Sequence, residues 1–278
     1  MGFNELNSVE YYIIHQLSGL NLNTKELQEP ATGNGAQWVF KSSEELQRSV
    51  NEVLVESELK EALIRLNPDI AAKPELADEV MYKLRAVLIA VNQVGLVKAN
   101  EEFFKWMTGE KTMPFGDNNR HVPIRLIDFD ELSNNTYIVT NQYRIHHRET
   151  KIPDVVMMIN GIPVVVGEAK TPIRPSVSWL DGAHEVHDIY ENAVPQLFVP
   201  NILSFATEGK ELYYGAIRCP LEFWAPWRLE NDDDAIAKRL GLGEVGKELS
   251  DLLSPTRLLD IMRNFSLFST DKKKRRIK

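Results

Sequence analysis

A mixed β-sheet flanked by helices, of the α/β (α+β) class, is the fold this sequence predicts. Three observations predict it. Apolar residues recur at helical spacing at both ends of the chain and in strand-like runs in the middle, roughly 122–216. Two β-branched runs flank Asn160-Gly161, a strong hairpin signal. A helical stretch separates the first strands from the last two, the order of a layered sheet-and-helix domain.

Each element follows from local pattern. The first 40 residues pair a helical patch, 4–17, with a turn-rich stretch, 29–35, and are expected to form an arm outside the core. Ser43 is a plausible N-cap for a helix carrying Leu46, Val50, Val53 and Leu54, which must stop before Asn67-Pro68. A second helix is expected over 74–94, with Pro74 in its first turn, and a third over 101–107, ending at Thr108-Gly109. Strands are expected at 122–128, 136–145, 154–159 and 163–168, then a helix at 179–191, then strands at 202–207 and 211–216. Helices at 232–240, 245–253 and 255–264 close the chain. The division this implies is an arm, 1–40, a core, 41–220, and a C-terminal helical segment with a basic linker, 221–278.

Composition narrows the class. Hydrophobic residues are 43% and charged residues 26% of 278, which suits a folded domain and excludes a disordered chain. With Cys219 the only cysteine, an intramolecular disulfide and a cysteine-rich zinc site are excluded, as suits a reducing cytoplasm. No apolar run reaches the roughly 18 residues of a membrane helix, and no basic leader precedes one, so a cytoplasmic place is expected. The net charge is −8, but the tail 272–278 holds six basic residues; elsewhere 26 basic face 40 acidic residues, a net of −14. Such a chain is not an obvious nucleic-acid binder, so any nucleic-acid site must be a local basic patch, or binding must lean on a partner. The tail reads either as a solvated linker or as a phosphate-binding strip.

The hairpin carries the chemistry. Both of its strands are apolar on both faces, yet Asp154, Glu168 and Lys170 stand at their ends. Buried charges there are costly unless paired or bound to metal. A two-residue loop pairs Ile159 with Ile162 and turns Glu168 away from Asp154. A three-residue loop with a bulge pairs Met158 with Ile162, sets Asp154 against Val166 and diagonal to Glu168, and needs Gly161 left-handed. The second register is expected, since Glu168 and Lys170 share a face on which Asp154 then converges. The two carboxylates and the adjacent backbone carbonyl, that of Ala169, are hard oxygen donors suited to Mg²⁺. Lys170 is placed to orient or deprotonate a water. The less specific reading is a buried structural ion pair.

Pro153-Asp154, thirteen residues, then Glu168-Ala169-Lys170 resembles the PD-(D/E)xK nuclease motif. The segments 122–129, 140–143, 160–172, 195–201 and 258–265 sharpen that likeness. With them the chain, over roughly 43–278, resembles the N-terminal nuclease domain of the R subunit of type I restriction–modification enzymes. The resemblance implies a restriction-endonuclease-like fold and Mg²⁺-dependent cleavage of double-stranded DNA. Asp154 and Glu168 would be the metal ligands and Lys170 the catalytic lysine. Tyr190 fits the tyrosine of the family's Gln-x-x-x-Tyr motif, but Val186 stands where the glutamine belongs. Either Glu185 or His187 supplies the polar contact, or the contact is absent. The family also implies separate methylation and specificity subunits and an ATP-driven helicase motor. The chain ends where that motor begins, so it is expected to be the nuclease piece of a longer subunit. The alternative is a nuclease-like module that docks motor and methyltransferase core and cuts little alone. A nuclease of another defence system is disfavoured by the Ile127-Asp128-Phe129 and Asn160-Gly161-Ile162-Pro163 segments.

Other motifs weigh less. Gly241-Leu242-Gly243-Glu244-Val245-Gly246-Lys247-Glu248 fits a phosphate-loop pattern, but a helix is expected before it and Glu248 would repel phosphate. Its glycines read as helix C-caps. His184 and His187 lie three apart, not the four of a zinc helix. Arg144, His146, His147, Arg148, Lys151 and Arg174 read either as DNA-backbone contacts or as a plain exposed strand end. Trp224 and Trp227 read as packing anchors rather than base-stacking platforms, and Cys219 as structural.

Overall fold

The computed structural model describes residues 9–27, 38–171, 176–229, 244–271 and 276–278. Its centre is a seven-stranded mixed sheet. In chain order the strands are β1 (Val39–Phe40), β2 (Tyr137–Asn141), β3 (Val155–Ile159), β4 (Ile162–Ala169), β5 (Leu203–Thr207), β6 (Leu212–Gly215) and β7 (Ala225–Pro226). The sheet runs β7-β6-β5-β4-β3-β2-β1. β4 and β5 are parallel, as are β1 and β2; the other neighbours are antiparallel. Both edges end in two-residue strands, one closed by Pro226, which leaves little free ladder for another chain to pair with.

The central hairpin is buried at every position of β3 and β4, as its unbroken apolar runs require. Gly167 admits the ring of Phe205, which any Cβ there would strike. The loop has two residues, not three. Ile162 pairs with Ile159, and Asn160 (φ 51°) and Gly161 (φ 75°) both take left-handed conformations. The bulge lies between Pro163 and Val165, where proline has no N–H for the ladder. Beyond it the register steps by one, so Val166 pairs with Val156, not with Asp154, and Gly167 with Val155. One residue further, Asp154 comes opposite Glu168. The expected convergence is present, but through a different register from the one the spacing predicts.

Around the sheet lie α1 (Tyr11–Ser18), α2 (Glu56–Leu66), α3 (Leu76–Val94) and α4 (Leu96–Met107). Next comes a continuous helix, α5, made of Trp179–His184, a π turn Glu185–Tyr190, and Glu191–Ala193. Further helices include the short Pro68–Ala72, α6 (Glu244–Leu252) and α7 (Pro255–Asp260). The helical patch near the N-terminus is not an arm: Ile13, Ile14 and Leu17 are in the core. Gly246 of α6 lies against Tyr12 of α1, and Trp38 donates to the Leu253 carbonyl at 2.8 Å.

Other expectations also shift. Residues 42–54 form turns rather than a helix from Ser43, because Glu45 and Glu52 accept from the N–H groups of Ser42 and Ser49, both at 2.7 Å. Val50, on the expected apolar face, is exposed. The strand expected at 122–128 survives only as Arg120–Pro123, paired with Thr112–Gly116 outside the central sheet. α4 starts directly after Gly95, five residues before the expected 101. The helix expected at 232–240 lies outside the described residues, as do Gly241 and Gly243; Gly246 sits inside α6, not at a C-cap. Of the tail, 272–275 lie outside them too, while Lys278 donates to the carbonyls of Asn201 and Ile202 at 2.7 and 3.0 Å. Among the described residues, no helix is long and apolar enough to cross a membrane.

Candidate active site

The charged ends of β3 and β4 meet α5 and the turn after β2. Glu168 is 3% exposed and Tyr190 4%, while Asp154 is half-buried. The Asp154 carboxylate accepts from the Ala169 N–H at 2.9 Å and from the Gln142 side chain at 3.2 Å. Lys170 donates to Glu168 Oε1 at 2.8 Å and to Glu185 Oε2 at 2.5 Å. Tyr190 donates its hydroxyl to Glu185 Oε1 at 2.9 Å. Asp154, Glu168, Lys170 and Tyr190 are thus brought together. Of Glu185 and His187, it is Glu185 that bonds both Lys170 and Tyr190. His187 faces Asp188, as does His184, each with Nδ1 2.7 Å from that carboxylate.

The electrostatics follow from burial. Desolvation raises the pKa of both Asp154 and Glu168; at Glu168 burial foremost, and then the charge of Asp154, push it well above the usual carboxylate range. Desolvation alone would lower Lys170, but the flanking Glu168 and Glu185 raise it. Glu185 ends below its ordinary value: desolvation is outweighed by hydrogen bonds from Lys170 and Tyr190. Glu168 Oε2 is wholly buried and, among the described residues, has no hydrogen-bond partner. Two facing carboxylates, one with an orphaned oxygen, fit a divalent cation. Among the described residues no group of three or more His, Cys, Asp or Glu is arranged to hold a metal.

Two contributors carry weak sequence signals. Glu10, 2% exposed at the head of α1, accepts from Gln142 at 2.8 Å and Asn141 at 3.3 Å. Gln142 has φ 49°, rare for a residue with a Cβ, and its amide reaches both Glu10 and Asp154. An acid inside the apolar patch of α1 was the available sign.

A family described as the type I restriction enzyme R protein N terminus matches residues 3–222 of the chain. The chain belongs to this family. It is 29% identical over 224 residues to the type I restriction enzyme HindI endonuclease subunit of Haemophilus influenzae, covering 79% of this chain and 20% of that protein. It is also 24% and 27% identical to the putative MjaIXP and MjaVIIIP endonuclease subunits of Methanocaldococcus jannaschii. Those matches cover 58% and 56% of this chain and 16% and 14% of the relatives. The chain spans about a fifth, or less, of each of these relatives.

The basic residues expected near the cut site flank the domain's central hairpin. Arg144, His146 and Arg148 are exposed on the small hairpin Ile145–His146/Thr150–Lys151, and Lys151 pairs with Glu149. Arg174 lies outside the described residues. Trp224 is 5% exposed and donates to the Cys219 carbonyl, while Trp227 donates to Asp251 at 2.9 Å. Both are held by packing and hydrogen bonds.

Proposed function

We propose that this domain is the Mg²⁺-dependent DNA endonuclease of a type I restriction R subunit, hydrolysing phosphodiester bonds of double-stranded, unmodified DNA. The observation that carries the reading is the opposed pair Asp154 and Glu168, with an orphaned carboxylate oxygen, beside an ammonium 2.8 Å away. Asp154, Glu168 and the Ala169 carbonyl would hold the ion. When bound, Mg²⁺ would stabilise the charge that develops on the phosphate. Lys170 orients the attacking water, and Tyr190 holds the Glu185 side of the lysine's cradle. The exposed Arg144, His146 and Arg148 supply backbone contacts that carry no sequence information. The acidic balance of the chain suits a domain handed its DNA by partners: methylation and specificity subunits, and an ATP-driven motor in the longer subunit. A cytoplasmic place belongs to the same reading.

A docking module with little activity of its own is the second reading. It is favoured by Lys170 being tied to two carboxylates. The test is Mg²⁺-dependent cleavage of circular DNA by this chain beside Asp154→Ala and Lys170→Ala, with folding checked by circular dichroism. The expected result is cleavage by the parent and a loss of about 100-fold or more in both variants. Cleavage unchanged in the variants would overturn the assignment. Cleavage only in the assembled complex, still lost in both variants, would favour the docking module for the chain alone.

A further inference from the structure

The helix facing the carboxylates changes its winding where it meets them. Over Glu185–Tyr190 it is a π turn, with hydrogen bonds from i to i+5. Residues five apart then lie on one face. That brings Glu185 above Tyr190, while Val186, four before the tyrosine, is fully buried. The helix also approaches closely: a Cβ on Gly182 would lie 3.4 Å from Glu168 Cγ and 3.3 Å from Ala206 Cβ. Glu185 divides its two oxygens between partners, Oε1 taking the Tyr190 hydroxyl and Oε2 the Lys170 ammonium. The lysine is thus held from both sides, by Glu168 and by Glu185, with its side chain 14% exposed.

We propose that Glu185 is a positioning residue of the site, brought into register by the π turn, and that it fixes the Lys170 ammonium against Glu168. The proposal deepens the nuclease reading and rests on it for the purpose of the lysine, though not for the lysine's placement. Without Glu185, Lys170 keeps one anchor and a flexible four-carbon stem. A glutamine at the same position keeps an acceptor for the lysine, so the amide should serve where a methyl group does not.

The test compares the full chain with Glu185→Gln and Glu185→Ala, using the side-chain ammonium signal of Lys170 in ¹H–¹⁵N NMR, assigned by its loss in Lys170→Arg. A slowly exchanging signal is expected in the parent and in Glu185→Gln, and its loss in Glu185→Ala with backbone spectra intact. In parallel, Mg²⁺-dependent cleavage should fall about 10- to 100-fold in Glu185→Ala and stay within a few-fold in Glu185→Gln. A signal that persists in Glu185→Ala, or is missing from the parent, overturns the proposal. Absence of cleavage in every protein counts against the nuclease reading alone, because the NMR comparison still decides the role of Glu185.

Discussion

At the scale of single residues, the molecule places acids where water cannot reach them. Glu191, 1% exposed, accepts from the Arg218 N–H at 3.3 and 3.1 Å and lies 3.3 Å from its guanidinium Nε. Burial nevertheless pushes its pKa from 4.5 up to about 8, against the pull of Arg218. A raised carboxylate pKa means the folded state favours the protonated form. That contribution is whole below about 4.5 and is lost as pH rises through about 8. Urea midpoints should therefore fall between pH 5 and pH 8, by on the order of a few kcal/mol in stability. Asp154 and Glu168, raised by burial, act with the same sign. Glu191→Gln should flatten much of the slope and leave their share; a slope unchanged in that variant would exclude Glu191 as its source.

At the scale of elements, the hairpin tip shows how a turn can be tied down. The Asn160 side chain accepts from the Thr136 N–H and donates to the Leu126 carbonyl and to Asn135, each at 2.8 Å. Gly161 offers its carbonyl to the Val55 N–H at 2.9 Å. One buried amide thus joins β3 to the irregular segment 124–136. Asn160→Ala would leave several buried groups unpaired and should cost about 2–4 kcal/mol in chemical denaturation. A loss under about 0.5 kcal/mol would show that the turn holds without that network. The hairpin itself was legible in the sequence, since Asn-Gly between β-branched runs has few other solutions. Its register was not, because the step is set by Pro163, two residues past the turn. Leu46, Val50, Val53 and Leu54 mimic a helical stripe, but serine and glutamate pairs close turns at that place instead. Glu185 and His187 were equal candidates by spacing alone, since a π turn leaves no mark in composition.

At the scale of the whole molecule, the segment that reads as an arm is part of the framework. Ile13 and Ile14 are fully buried, Leu17 is 5% exposed, and β1 extends the sheet beside β2. Burying three such side chains is worth about 1.5–3 kcal/mol each, comparable in sum with the about 5–15 kcal/mol stability of a typical domain. Removing residues 1–40 should therefore leave a chain without cooperative thermal unfolding by circular dichroism. A truncated protein melting within a few degrees of the parent would restore the reading of an arm.

Glu10 and Gln142 meet across 132 positions of sequence, and Asp154, Lys170 and Glu185 join from three further elements. Of these contacts only those of Glu10 reach far along the chain; the bonds that join Gln142, Asp154, Glu168, Lys170, Glu185 and Tyr190 span 15 residues or fewer. A half-synthesised chain has no such site, and a locally loosened one has only part of it. On the proposed reading, a displaced α1 would cost the site its Glu10 contacts and leave the bonds among Asp154, Glu168, Lys170 and Glu185 in place.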